Sequence, residues 1–168
     1  MVRRLAVIAL VVVLGDLAGC STTQSSTAGK GSGVPSAGSS SNAAKASNLV
    51  VTDQIRAQLV AAGAALNSIP ASEYTGLRPG GTFYAYDPAT RTDWAGAALV
   101  ASPSSQRAQV STQDDGAYLL FERPQGGSWI AHDVGLAGVE GSSCPIQVPA
   151  SITELWGWNT GSCRPPDS

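Results

Sequence analysis

Residues 108–134 read AQVSTQDDGAYLLFERPQGGSWIAHDV, and the interpretation of this stretch decides the fold. Short apolar runs alternate with turn signals. Asp115-Gly116 separates Ala108–Gln113 from Ala117–Arg123, and Pro124–Gly127 separates the latter from Ser128–Val134. Alternation at period two between such breaks predicts antiparallel strands joined by tight hairpins. A two-residue loop at Asp115-Gly116 would set Val110 opposite Phe121, and an even loop over Pro124–Gly127 would set Phe121 near Ile130. In that register Val110, Leu119, Phe121, Ile130 and Val134 form an apolar face. Gln109, Ser111, Gln113, Tyr118, Glu122, Trp129 and Asp133 form the opposite one.

Working outward, Thr82–Tyr86 and Thr92–Ala101 add two extended runs, broken by Asp87-Pro88-Ala89-Thr90. Upstream, Val51, Ile55, Leu59, Ala62, Leu66 and Ile69 recur at steps of three and four, which lines one side of a helix from Asp53 to Asn67 with Thr52 as its N-cap. Pro70–Gly81 is rich in Pro and Gly and is predicted as a loop, with one turn of helix near Ser72. Downstream, Ile152, Leu155 and Trp156 are spaced for one or two helical turns. The expected fold class is therefore α+β: an N-terminal amphipathic helix packed on a four- to five-stranded antiparallel meander, with a short C-terminal helix tied by a disulfide.

The first residues carry a different signal. Arg3 and Arg4 precede an apolar run from Leu5 to Leu14, and about ten apolar residues fall short of the ~20 a spanning helix needs. Leu17-Ala18-Gly19-Cys20 follows, and this arrangement resembles the lipobox of bacterial lipoproteins. The resemblance implies that residues 1–19 are a cleaved signal peptide. It also implies that Cys20 receives a diacylglyceryl group and a further acyl chain such as palmitate. Two or more chains hold a protein stably on a membrane. The localisation implied is the cell membrane, on its extracytoplasmic side.

Between residues 21 and 48 the chain holds nine Ser, three Thr and four Gly, with Val34 the one large apolar residue. Such a segment buries too little to offset its ordering entropy and is expected to be a disordered tether spanning roughly 30 Å. The domain organisation expected is thus 1–19, 20–48 and a folded extracytoplasmic domain over 49–168. Eight Arg against two Lys, with abundant Ala and Gly, is a high-GC bias. From Tyr74 to Trp129, with Tyr84-Ala85-Tyr86-Asp87-Pro88 and Gln113-Asp114-Asp115-Gly116, the chain is similar to small uncharacterised actinobacterial lipoproteins. That resemblance implies no established activity.

Three cysteines remain to be assigned: with Cys20 reserved for lipid, Cys144 and Cys163 are left to pair in an oxidising compartment. From residue 49 onward six Arg oppose eleven Asp and Glu, which leaves no basic field for nucleic acid. One histidine gives no multi-ligand metal site, and no phosphate loop or dinucleotide fingerprint is present, so neither metal nor cofactor is expected. His132 is followed by Asp133, but neighbours on a strand point to opposite faces, so His132 reads as structural. Asp114-Asp115-Gly116 reads as a turn.

Tyr118 and Trp129, with Gln109, Gln113, Glu122 and Asp133, are the candidate binding face, because rings and amides give contact area at low entropy cost. The alternative is that the rings cover a sheet face beneath Trp156 and Trp158. The function expected is a non-enzymatic, membrane-anchored lipoprotein that binds a protein or cell-envelope component, a glycan included. The alternative is an envelope hydrolase using Asp114, Asp115, Glu122 or Asp133 as paired carboxylates.

Overall fold

A computed structural model describes residues 45–113, 117–135 and 144–166. The leader, Cys20, most of the tether and the Asp114-Asp115-Gly116 turn lie outside the described residues. The elements in chain order are β1 (Ser47–Asn48), α1 (Asp53–Leu66), a 3₁₀ turn (Ala71–Glu73), β2 (Tyr74–Leu77), β3 (Phe83–Asp87), β4 (Thr92–Ala101), α2 (Gln106–Ser111), β5 (Tyr118–Pro124), β6 (Ile130–Asp133) and α3 (Ala150–Trp156). The fold is α+β, and its sheet is antiparallel in the order β1-β3-β4-β5-β6. β2 pairs with the far end of β4, beyond the point where β3 stops.

The helix begins where the sequence placed it. The Thr52 hydroxyl accepts the Ile55 amide at 3.2 Å, and Asp53 occupies the first turn, where the helix dipole favours an anion. The 3₁₀ turn falls near Ser72 as expected. α3 and the Cys144–Cys163 disulfide, with Cα atoms 5.7 Å apart, also match the expectation.

Four expectations are corrected. Ala108–Gln113 is not a strand, since residues 106–111 form α2. The Ser105 hydroxyl caps this helix by accepting the Ala108 amide at 3.1 Å, while donating to Glu73. The position beside β5 is instead taken by β4, which runs alongside it from Thr92↔Pro124 to Ala98↔Tyr118. Val110, expected opposite Phe121, is 59% exposed on α2. Part of the expected Pro70–Gly81 loop is β2, bound to the end of β4 through Leu77↔Leu99. The folded domain also begins before residue 49, since Ser47 and Asn48 pair with Tyr86 and Ala85, and Ala46 packs on the core.

The fourth correction is to the last hairpin. Glu122 faces Ile130 and Phe121 faces Ala131, one residue away from the expected register. The slip carries the larger Trp129 ring to the Phe121 side and leaves Ile130 48% exposed. Burying the indole against Phe121 and Tyr84 outweighs burying one isoleucine, because aromatic rings remove the larger apolar area from water.

Both faces of the sheet are covered. On one, Leu59 and Ala64 of α1 pack with Tyr84, Ala95, Ala97, Leu99, Leu119 and Phe121. Gly63 brings α1 close, since a Cβ there would lie 2.7 Å from Leu119 Cδ1 and 3.0 Å from Leu99 Cδ1. On the other face α3 and the disulfide-linked segment cover Trp94, Tyr118 and Leu120 with Ile152, Trp156, Trp158 and Cys163. Phe83, Trp156 and Trp158 form a ring cluster with centroids 4.8–5.6 Å apart.

Candidate functional site

The six residues expected to form one binding face are scattered. Tyr118 is 8% exposed beneath Trp158, on the α3 side, where burial pushes its hydroxyl pKa far above the usual phenol range. This is the sheet-covering alternative the sequence left open. Trp129 lies on the α1 side. Gln109 belongs to α2 and donates to the Pro103 carbonyl at 2.8 Å, while Gln113 is exposed just beyond that helix. Glu122 and Asp133 occupy opposite sides: Glu122 pairs across the strands with Ile130, whereas Asp133 faces Leu119 and accepts the Gly135 amide at 2.8 Å. An acid–base pair of these two carboxylates on one face is therefore not formed. The same register slip places His132 beside Glu122, with Nε2 3.2 Å from Oε1, so the imidazole meets a carboxylate other than the adjacent Asp133.

The built site centres on Arg123, a residue that strand alternation did not single out. Asp93 faces Arg123 across β4 and β5, and Tyr86 faces Asp93 across β3 and β4. Arg123 and Asp93 fall on the α1 side of the sheet. The Arg123 Nε and Nη2 donate to Asp93 Oδ2 at 2.9 and 2.6 Å, Nη2 donates to the Tyr84 hydroxyl at 3.1 Å, and Nη1 donates to Gln58 Oε1 at 3.3 Å. The guanidinium carbon sits 4.6 Å from the centre of the Trp129 ring, a cation–π stack worth on the order of 1 kcal/mol. Trp129 Nε1 donates to the same Gln58 oxygen at 3.1 Å.

Gln58, Tyr84 and Trp129 are thus each held by at least two other members, while Asp93 is held by Arg123 alone. Burial and the neighbouring Asp93 carboxylate raise the Tyr84 pKa, with Arg123 opposing the shift, so the phenol stays protonated as a partner. The signal available in the sequence was a pair of charges at apolar-phase positions: Arg123 two residues after Phe121, and Asp93 two before Ala95. Charges of opposite sign at such positions on neighbouring strands are expected to pair. Gln58 carries no comparable signal, because helical periodicity marks it only as a flank of the apolar stripe.

Two clefts meet at this cluster. One, of about 360 Å³, lies between α1 and the β5–β6 hairpin, with Gln58, Ala61, Ala62, Arg123, Ser128 and Trp129 along its walls. The other, of about 320 Å³, lies between the β3–β4 and β5–β6 hairpins, and Tyr86, Arg91, Asp93 and Gln125 contribute to it. Arg123 and Gly127 line both, so they adjoin. Volumes of this size match small-ligand sites. Among the described residues there is no group of three or more His, Cys, Asp and Glu placed to hold a metal ion. A separate ion pair links Glu73 to Arg107 on the α2 side, and that contact together with the Ser105 hydroxyl lowers the Glu73 pKa. Compared with protein-family models, curated proteins and solved structures, the chain matches none of them.

Proposed function

We propose that this protein is a lipoprotein held on the extracytoplasmic side of the cell membrane by acyl chains on Cys20. In this reading its folded domain is a non-enzymatic module that binds a protein or other cell-envelope component. The observation that carries the binding role is the Gln58–Arg123–Trp129 cluster. An arginine fork fixed by Asp93, Tyr84 and Gln58 and stacked on an indole is a preorganised surface, and preorganisation lowers the ordering cost of binding. The Cys144–Cys163 bridge supports an oxidising compartment. The separation of Glu122 from Asp133 favours binding over hydrolysis by sheet carboxylates.

Two measurements test this. Intact mass and membrane partitioning of the protein from its host should show a mature chain starting at Cys20 with added acyl mass. A Cys20→Ala variant should lose both the acyl mass and the membrane association. A soluble, unlipidated mature chain would remove the anchor. For the binding role, a photo-crosslinker at exposed Ser128, beside the cleft, should capture an envelope component that one at Thr75 on β2 does not. Identical capture from the two positions would refute the site.

A further inference from the structure

The hydrogen-bond accounting around Gln58 determines what the first cleft offers a ligand. Arg123 Nη1 and Trp129 Nε1 are donors only, and both point at one oxygen of the Gln58 amide. That fixes the amide orientation, because the flipped form would set N–H against N–H. Gln58 Nε2 therefore faces away from the cluster with both hydrogens, and it has no partner among the described residues. Arg123 has five N–H groups, of which four are used: Nε and one Nη2 hydrogen on Asp93, the other Nη2 hydrogen on Tyr84, and one Nη1 hydrogen on Gln58. One Nη1 hydrogen remains. Gln58, Arg123 and Ser128, which carry these free donors and a hydroxyl, line the cleft together with Ala61, Ala62 and the indole.

This wall is rich in donors and poor in acceptors. A sugar, whose hydroxyls each need an acceptor as well as a donor, is poorly matched to it. A carboxylate, which only accepts, is well matched. Charge agrees: Asp93 neutralises Arg123, while Arg91 in the adjoining cleft has no acidic partner among the described residues, so the joined clefts carry an excess positive charge. Ala61 and Ala62 line the same cleft, so small apolar side chains stand with the donors.

We infer that this cleft binds the C-terminal carboxylate of a peptide that ends in a small residue such as alanine. The inference rests on the cleft being the binding site proposed above, and it names the chemistry that the site selects. In the bound state the carboxylate takes hydrogen bonds from Gln58 Nε2 and Arg123 Nη1, with its α-substituent against Ala61 and Ala62.

The test is calorimetric titration of the full chain, in detergent, with N-acetyl-alanyl-alanine, with its C-terminal amide, and with methyl glucuronide as a sugar-borne carboxylate. The free acid should bind at least tenfold more tightly than either of the others. Gln58→Glu should lower the affinity for the acid at least tenfold. The new carboxylate still accepts from Arg123 and Trp129, so the melting temperature should hold or rise, which separates the recognition role from a structural one. Equal binding of acid and amide, no binding of the acid, tighter binding of the glucuronide, or an unchanged affinity in Gln58→Glu would each overturn the inference. Capture at Ser128 alongside any of these results would leave the binding site standing and remove only the peptide carboxylate.

Discussion

Replacing Gly96 with alanine tests how the aromatic layer is seated on the sheet. Gly96 lies in the middle of β4, paired with Phe83 on one side and Leu120 on the other. A Cβ at this position would lie 3.0 Å from Trp158 Cη2 and 3.3 Å from Tyr118 Cζ, and closer still to the Tyr118 hydroxyl. Neither ring can step aside freely. Trp158 is 5% exposed and packs against Phe83 and Trp156 at centroid distances of 5.2 and 4.8 Å. Overpacking a rigid core by one methyl costs about 1–3 kcal/mol. The loss of chain entropy in the unfolded state that accompanies Gly→Ala offsets about 0.4–1 kcal/mol of this.

A net destabilisation of about 1–2 kcal/mol follows, equivalent to a fall of roughly 4–10 °C in Tm for a domain of this size. Gly81→Ala is the matched control: its Cβ would meet only Arg78 atoms, at 3.9 Å, so the entropy effect alone should stabilise by a few tenths to about 1 kcal/mol. Urea and thermal unfolding under non-reducing conditions, followed by tryptophan fluorescence and circular dichroism, read both. If Gly96→Ala proved as stable as Gly81→Ala, the close seating of Tyr118 and Trp158 over β4 would be wrong.

Alkaline pH should unfold the protein through its tyrosines. Burial raises the Tyr118 pKa above the ordinary 10.0, so above that pH the unfolded chain releases a proton that the folded one retains. Stability should then fall by about 1.4 kcal/mol per pH unit. Tyr118→Phe should flatten this slope, with little change at neutral pH because the hydroxyl has no hydrogen-bond partner among the described residues; an unchanged slope would refute the assignment. Non-reducing peptide mapping should find Cys144 joined to Cys163. Their replacement by serine should cost on the order of 3 kcal/mol through the loop closed by two cysteines 19 positions apart, and a full-stability double variant would show that α3 needs no bridge.

Local signals were sufficient wherever one element reports on itself. α1 was legible from the phase of Ile55, Leu59 and Ala62 and from the Thr52 cap, α3 from Ile152 and Trp156, and the disulfide from cysteine arithmetic. The strands β3, β4 and β5 were legible because alternation and turn residues are properties of contiguous sequence. What the sequence left undetermined depended on which segments meet. Ala108–Gln113 alternates like a strand, yet the ten-residue β4 occupies the place beside β5, and Ser105 then caps a helix instead. The register of the last hairpin turned on where one indole finds Phe121 and Tyr84, and a shift of one residue reassigns every side chain to the other face. That shift separated Tyr118 from Trp129 and Glu122 from Asp133, and it paired His132 with Glu122. The Arg123 cluster joins α1, β3, β4, β5 and the residue just before β6 across as many as 71 residues of chain. The opposite charges of Asp93 and Arg123 left a trace in strand phase, but the bond from Trp129 to Gln58 leaves none, so only tertiary packing could complete the site.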